Sequence, residues 1–325
     1  HILSSSLQST TVPRPTLADI EDARERIRGI AWRTPTVPAG RYDDGKLYLK
    51  LECIQRTGSF KVRGAWNMMS RTTEEQRRRG FVAVSAGNHG QAVAWAAKKL
   101  EASCTVYVPD HAVQRKVDSM ESMGAKVIRR PNSEIMESMT DDRMSMLGMT
   151  YVHPFGDPYI VAGQGTIGLE ILEDLPDVKT VIVPVGGGGL VSGIATAIKA
   201  NKPDVEIYGV QAAGAGPLPL SLASGKAETV EEEATIADGI ASSRVFEYML
   251  PLFKEYLTDA FLVDDDEMRA AIMHLMKESH VIAEAAGASS LAAATKYRDR
   301  FREPIVCVVS GGNVDPKILM ELLAQ

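Results

Sequence analysis

Thr57 to Gly64 reads TGSFKVRG and sets one lysine, Lys61, behind a run of small residues and a phenylalanine, Phe60. An exposed lysine needs no such frame, and most lysines are exposed. A lysine that must bond covalently to a cofactor needs a fixed position and a lowered pKa. Taken alone, the stretch also fits a solvated side chain beside a turn, and the residues that could face Lys61 decide between the two.

Three loops offer such residues. VSAGNHGQA, 84 to 92, carries an apolar run into a helix through Ser85, Ala86, Gly87, Asn88, His89 and Gly90. Backbone N–H groups at a helix start favour an anion, and small residues let it come close, so a carboxylate suits this loop. PVGGGGLVSG, 184 to 193, puts Gly186, Gly187, Gly188 and Gly189 between a buried run and a helix, a cup of N–H groups that suits a phosphate. Nucleotide loops fail on the letters. Ile194 follows Gly193 where a Walker loop needs Lys, and Ser192 stands where a dinucleotide fingerprint needs its third glycine. VVSGGN, 308 to 313, ends an apolar run in Ser310, whose hydroxyl could bond a heteroaromatic nitrogen or cap a helix. A phosphate, a ring nitrogen and a carbon that lysine can attack together describe pyridoxal phosphate.

The elements that must hold these loops alternate. FVAVS (81 to 85), CTVYVP (104 to 109) and KVIRR (126 to 130) read as strands separated by helical patterns, which implies parallel strands with helices on both faces. The pattern returns in VKTVIVPV (178 to 185), VEIYGVQA (205 to 212) and PIVCVVS (304 to 310), with a charged loop and two helices between the last two. The second of these helices is the alanine-rich stretch from Glu284 to about Lys296. Met136, Met139, Met144, Met146 and Met149 are spaced for packing on or after the helix that follows the third strand, not for a metal. Asp264 to Glu267 reads as a helix cap, and Arg77 to Arg79 as a solvated helix face.

Composition narrows the class. The chain has 325 residues, 45% of them hydrophobic and 24% charged, enough for two cores. Its net charge of −6 argues against nucleic acid or an anionic membrane as partner. Cys53, Cys104 and Cys307 cannot all pair and lack metal-ligand spacing, which fits a reducing cytoplasm. No apolar run reaches the length of a membrane span, and the first dozen residues lack the regions of a secretory signal.

From about Thr16 to Pro316 the sequence resembles the fold type II pyridoxal phosphate enzymes, and within them the threonine and serine dehydratase and serine racemase branch. The resemblance is carried by KLECIQRTGSFKVRGA, SAGNHGQA, AGQGTIGLEI, PVGGGGLVSG, TIADGIA, EAAGASSLAAA and SGGN, in the family's order. It implies an α/β fold of two open twisted parallel-sheet domains, tryptophan synthase beta-like, with a large cofactor-binding domain from 14–72 and 158–325 and a small mobile domain from 80–155. It implies that Lys61 bonds the cofactor aldehyde, with Phe60 against the ring. Asn88 would bond the 3′ oxygen, Gly186 to Gly189 with Leu190 would hold the phosphate, Ser310 would face the pyridine nitrogen, and Gly239 would line the cofactor. Ser85, Ala86, Gly87, Asn88 and His89 would form the loop that grips the substrate carboxylate.

His89 favours this branch, because sulfur-transfer and synthase relatives place threonine or another residue there. The expected substrate is a small β-hydroxy amino acid, L-threonine or L-serine first, with 3-hydroxyaspartate and phenylserine open. The expected products are a 2-oxo acid and ammonia, with Lys61 as the base. A racemase is the alternative, but Ala86 stands where serine racemases carry the serine that serves the opposite face. Many relatives hold a divalent cation on a glutamate and an aspartate. Gln211 and Pro217 occupy those places, so no metal is expected. The resemblance further implies a homo-oligomer, dimer or tetramer, and a chain ending soon after SGGN without a regulatory region.

Overall fold

The computed structural model describes residues 11–40, 45–138 and 147–324. The first helix, α1 (Leu17–Ile27), is closed by a capping box: the Thr16 hydroxyl accepts from the Asp19 N–H at 3.1 Å, and the Asp19 carboxylate accepts from the Thr16 N–H at 2.7 Å. A short antiparallel pair follows, β1 (Thr36–Pro38) and β2 (Leu47–Leu51), then α2 (Lys61–Met69) and the exposed α3 (Glu74–Arg79). The next stretch alternates through β3 (Phe81–Val84), α4 (Asn88–Lys99), β4 (Cys104–Pro109), α5 (Gln114–Ser122), β5 (Lys126–Arg130), α6 (Asn132–Ser138) and β6 (Thr150–Tyr151). A long helix, α7 (Pro158–Asp174), leads on to β7 (Thr180–Pro184), α8 (Gly189–Asn201), β8 (Glu206–Ala212), α9 (Leu218–Ser224) and α10 (Leu250–Tyr256). The remainder is β9 (Asp259–Val263), α11 (Asp265–His274), α12 (Ala285–Lys296), β10 (Ile305–Val309) and α13 (Pro316–Leu323).

These strands form two sheets. One has six strands in the order β1-β2-β10-β7-β8-β9, parallel except for β1 at its edge; the other has four in the order β5-β4-β3-β6, all parallel. The central strands β7 and β10 are buried at every position, as expected of parallel strands covered on both faces.

Six strands stand where the apolar runs predict them, β4 and β5 residue for residue and the other four shorter by one to three residues. Four others were not expected, and each has a physical reason. β1 and β6 are too short to show a period. β2 carries Lys50 in its sequence, buried because its ammonium donates to Glu170 at 2.7 Å and to the Thr34 carbonyl at 2.6 Å. β9, DAFLV, lies within the segment between β8 and β10 that was expected to hold only two helices and that holds four α-helices besides this strand. Met139, Met144 and Met146 lie outside the described residues. Met149 packs, as expected, with Val82, Val84 and Ile135. Asp264 caps α11 through a box with Glu267.

Helix α2 is pressed against α7 by glycines on both sides. A Cβ at Gly163 would lie 2.5 Å from the Gly64 Cα, and one at Gly64 would lie 2.7 Å from the Ile160 carbonyl oxygen. Beside this contact sits a buried charge quartet. The Arg63 guanidinium donates from Nε to Glu52 at 2.5 Å and from Nη1 and Nη2 to Glu170 at 2.9 and 2.7 Å, while Lys50 completes the balance on Glu170. Two cations and two carboxylates thus fix the helix that begins with Lys61.

Candidate active site

A cavity of about 610 Å³ opens at the carboxyl ends of both sheets, the usual place for a ligand in open parallel sheets. Its lining brings together every residue singled out from the sequence: Phe60, Lys61, Ser85, Ala86, Gly87, Asn88, His89, Gly186, Gly187, Gly188, Gly189, Leu190, Gly239 and Ser310.

Lys61 sits at the first position of α2, and its ammonium donates to the Pro154 carbonyl at 2.6 Å. No carboxylate among the described residues offsets its burial, and desolvation lowers its pKa to about 8. The loop before it is tied to the end of β10: the Phe60 N–H donates to the Ser310 carbonyl at 3.1 Å, and the Gly312 N–H donates to the Gly58 carbonyl at 2.8 Å. Lysine and serine hydroxyl are therefore held in one register.

Asn88 begins α4 with its amide oriented by two partners. Its Oδ1 accepts from the Asn313 amide at 2.8 Å, and its Nδ2 donates to Glu284 at 2.6 Å. One Nδ2 proton is left for a ligand in the cavity. Asn313 also donates to the Thr57 carbonyl at 2.7 Å, so it joins the lysine loop to the Asn88 loop. Burial pushes the Glu284 carboxyl up, against the opposing pull of its bond from Asn88. Glu284 and Asn313 were quoted above as parts of motifs but given no role. The signal for both was a polar residue bounding a small-residue stretch.

His89 differs from its neighbours. Its Nε2 donates to the Val152 carbonyl at 2.8 Å, and burial followed by the nearby Lys61 lowers its pKa to about 3. With its one ring proton spent on the Val152 carbonyl, what His89 can offer a carboxylate is its backbone N–H. His153 is neutral for the same two reasons. Its Nδ1 accepts the Phe155 and Gly156 N–H groups at 3.1 and 2.7 Å, which leaves the proton on Nε2, 3.4 Å from the Tyr248 hydroxyl. Phe155, Phe246 and Tyr248 form an aromatic cluster against His153, with Phe155 and Phe246 lining the cavity. Sequence reasoning missed this cluster because its members come from distant segments, with Tyr248 95 residues beyond His153.

The glycine cup fits a phosphate. A Cβ at Gly187 would run into the Phe155 ring, one at Gly189 would lie 2.7 Å from the Phe155 carbonyl oxygen, and Gly188 has φ +102°. Only glycine lets the turn nest there. The N–H groups of a first helical turn have no partner within the helix, and those of α8 point where an anion would sit. Lysine, cup, oriented amide and Ser310 in one cavity fit pyridoxal phosphate. The two positions at which relatives hold a divalent cation do not fit one by their side chains: Gln211 is neutral and Pro217 has no side-chain ligand atom.

Comparison with known proteins agrees on the cofactor. Residues 27–311 match the model of a family described as pyridoxal-phosphate dependent enzyme. An L-threonine ammonia-lyase of Thermotoga maritima is 40% identical over 314 residues, 95% of this chain and 78% of that protein. The catabolic L-threonine dehydratase TdcB of Staphylococcus aureus is 40% identical over 308 residues, 92% of this chain and 89% of that protein. Among solved structures, maize serine racemase superposes with a TM-score of 0.88 at 34% identity, covering 95% of this chain and 97% of that one. The processed form of threonine deaminase isoform 2 from Solanum lycopersicum superposes at 0.87 with 33% identity, covering 100% and 92%.

Proposed function

The chain belongs to the pyridoxal-phosphate dependent enzyme family, and on that premise we propose that it is an ammonia-lyase converting L-threonine or L-serine to a 2-oxo acid and ammonia. The carrying observation is the Lys61 amine, lowered to about 8 with no carboxylate partner among the described residues, in one cavity with the glycine cup and the oriented Asn88 amide. L-threonine is favoured because the relatives of highest identity given above are named for it.

Bound pyridoxal phosphate supplies an aldehyde and an electron-withdrawing ring that make the α proton of an amino acid removable. Lys61 would hold the aldehyde carbon and, once displaced from it by the amino group of the substrate, would be the general base for that proton. Gly186 to Gly189 and Leu190 would hold the phosphate by backbone N–H groups, and Asn88 would donate its remaining proton to the 3′ oxygen, with Phe60 and Gly239 beside the ring. Ser310 would meet the ring nitrogen with a neutral hydroxyl, a weaker proton donor than an acid, which would favour loss of the β hydroxyl over a long-lived carbanion. The backbone of Ser85 to His89 binds the substrate carboxylate. The small domain, 80–155, holds β3 to β6, and its closure on the large domain, 14–72 with 158–325, excludes water.

The racemase reading draws on the likeness to maize serine racemase. Against it stands Ala86, whose methyl group lines the cavity and cannot carry a proton. Three buried free thiols support a reducing compartment, the cytoplasm, and none of the described helices is long and apolar enough to cross a membrane. A homo-oligomer belongs to the same reading, and light scattering of the purified protein checks it.

The test is a screen of holoprotein against L-threonine, L-serine, 3-hydroxyaspartate and phenylserine, following release of 2-oxo acid. Turnover of threonine or serine is expected to exceed that of the other two. Absence of oxo acid from all four would sink the ammonia-lyase assignment.

A further inference from the structure

Gln211 stands near the end of the site's supporting strand β8 and is 1% exposed, a polar side chain in a mostly apolar strand. Both ends of its amide are used. Nε2 donates to the Val185 carbonyl at 3.2 Å, and Oε1 accepts from the Leu218 N–H at 2.8 Å. Val185 immediately precedes the glycine cup, and Leu218 is the first residue of α9, where a helix leaves its N–H groups without internal acceptors. One side chain therefore ties the root of the cup to the start of a helix.

The chemistry of that tie is specific. A carbonyl needs a donor and an N–H needs an acceptor, and a primary amide presents one of each. A carboxylate in the same place would set oxygen against the Val185 carbonyl oxygen and call for a cation between them. The residues here do not provide for one: the second ligand position is Pro217, and Gln211 carries no charge.

We propose that Gln211 is a positioning residue for the cofactor, an uncharged clamp that holds the Val185 carbonyl, and through it the phosphate cup, in a chain that uses no divalent cation for the purpose. The inference rests on reading Gly186 to Gly189 as the seat of the cofactor phosphate. Replacing Gln211 by leucine leaves a buried carbonyl and a buried N–H without partners, and the cup loses its anchor.

The experiment titrates apoprotein with pyridoxal phosphate and reads the visible absorbance of the bound cofactor, with unfolding temperature of the apoprotein measured beside it. Native protein is expected to bind with the same Kd in EDTA and in magnesium. Gln211→Leu is expected to bind about tenfold more weakly, the size of one lost buried pairing. Gln211→Glu keeps the shape of the amide but turns the donor into an acceptor, and in EDTA it is expected to weaken binding to a similar degree; it carries the comparison if the leucine variant does not fold. A merely structural residue would lower the unfolding temperature and leave the Kd of the folded protein unchanged. That result, or native protein that binds cofactor only with magnesium, overturns the proposal. Native protein that takes up no pyridoxal phosphate at all overturns the reading of the cup, and this inference with it.

Discussion

Burial lowers the Lys61 amine to about 8, and a pH dependence follows from the sign of that shift. Below this value the group is an ammonium and cannot attack an aldehyde; above it the lone pair is available. The rate at which apoprotein takes up pyridoxal phosphate should rise with pH through about 8 and then level off. A rate that stays flat from about pH 6 to about pH 9 would contradict a lysine titrating in that window. Borohydride reduction of the holoprotein should place the pyridoxyl label on Lys61. Lys50 is held by Glu170 and Lys116 by Asp238, so neither amine is free to compete. Lys61→Ala should lose turnover by several orders of magnitude, since cofactor link and base disappear together. At Ala86, which lines the cavity where the resemblance puts the racemase serine, replacement by serine would supply a hydroxyl for the face that Lys61 does not serve. The D-isomer made from an L-β-hydroxy amino acid should then increase while elimination falls or stays level, as chiral chromatography would show. Lys61, Asn88 and the cup could be read from the letters because each sits in a short stretch with its own chemistry. Glu284 and Asn313 could not be given roles, because both act through Asn88 from positions 196 and 225 residues away, and such a bond exists only in the folded chain.

Among the elements, α2 matters most because it begins with Lys61, and what fixes it is the charge quartet and the contact with α7. The strands that carry the three loops were visible as apolar runs. The strand that buries Lys50 was not, since a lysine inside it argues against a buried strand until its carboxylate partner, from a helix 120 residues on, is known. Buried pairs add little net stability over an apolar core, but removing one partner leaves an uncompensated charge. Arg63→Met would strand Glu52, fully buried, and leave Glu170 with Lys50 alone. Urea unfolding should show a loss of about 3–5 kcal/mol. A loss under about 1 kcal/mol would mean that water or a proton relieves the carboxylates. Gly64→Ala tests the helix contact by a different route. The added methyl would lie 2.5 Å from the Gln164 amide nitrogen and 2.7 Å from the Ile160 carbonyl, forcing α2 off α7. Overpacking of this kind costs about 1–3 kcal/mol, and here it should also raise the Kd for cofactor, since Lys61 moves with its helix.

For the whole molecule, the cavity lies where the two sheets turn their carboxyl ends toward each other, so its floor and its roof come from different sheets. Gly186 to Gly189 follow β7 and Ser310 follows β10 of the six-stranded sheet, whereas Ser85 to His89 follow β3 of the four-stranded one. On the proposed two-domain reading, a movement of the smaller sheet would carry Ser85 to His89 with it and would also shift Phe155, which packs on Gly187 and Gly189 of the phosphate seat. The aromatic cluster marks the contact that such a movement would work against: His153 and Phe155 follow β6 in the smaller sheet, and Phe246 and Tyr248 precede α10. L-valine has the shape of threonine without the hydroxyl that leaves, so it can occupy the site without undergoing elimination. Hydrogen exchange of the holoprotein should slow on adding valine at amides of 85–90 and 153–156, where loop and cluster close on the ligand. Amides at 186–190, already covered by cofactor, should change little. Protection confined to 186–190, with none in the smaller sheet, would show that the carboxylate binds without closure, and the 80–155 segment would then be a fixed wall of the site.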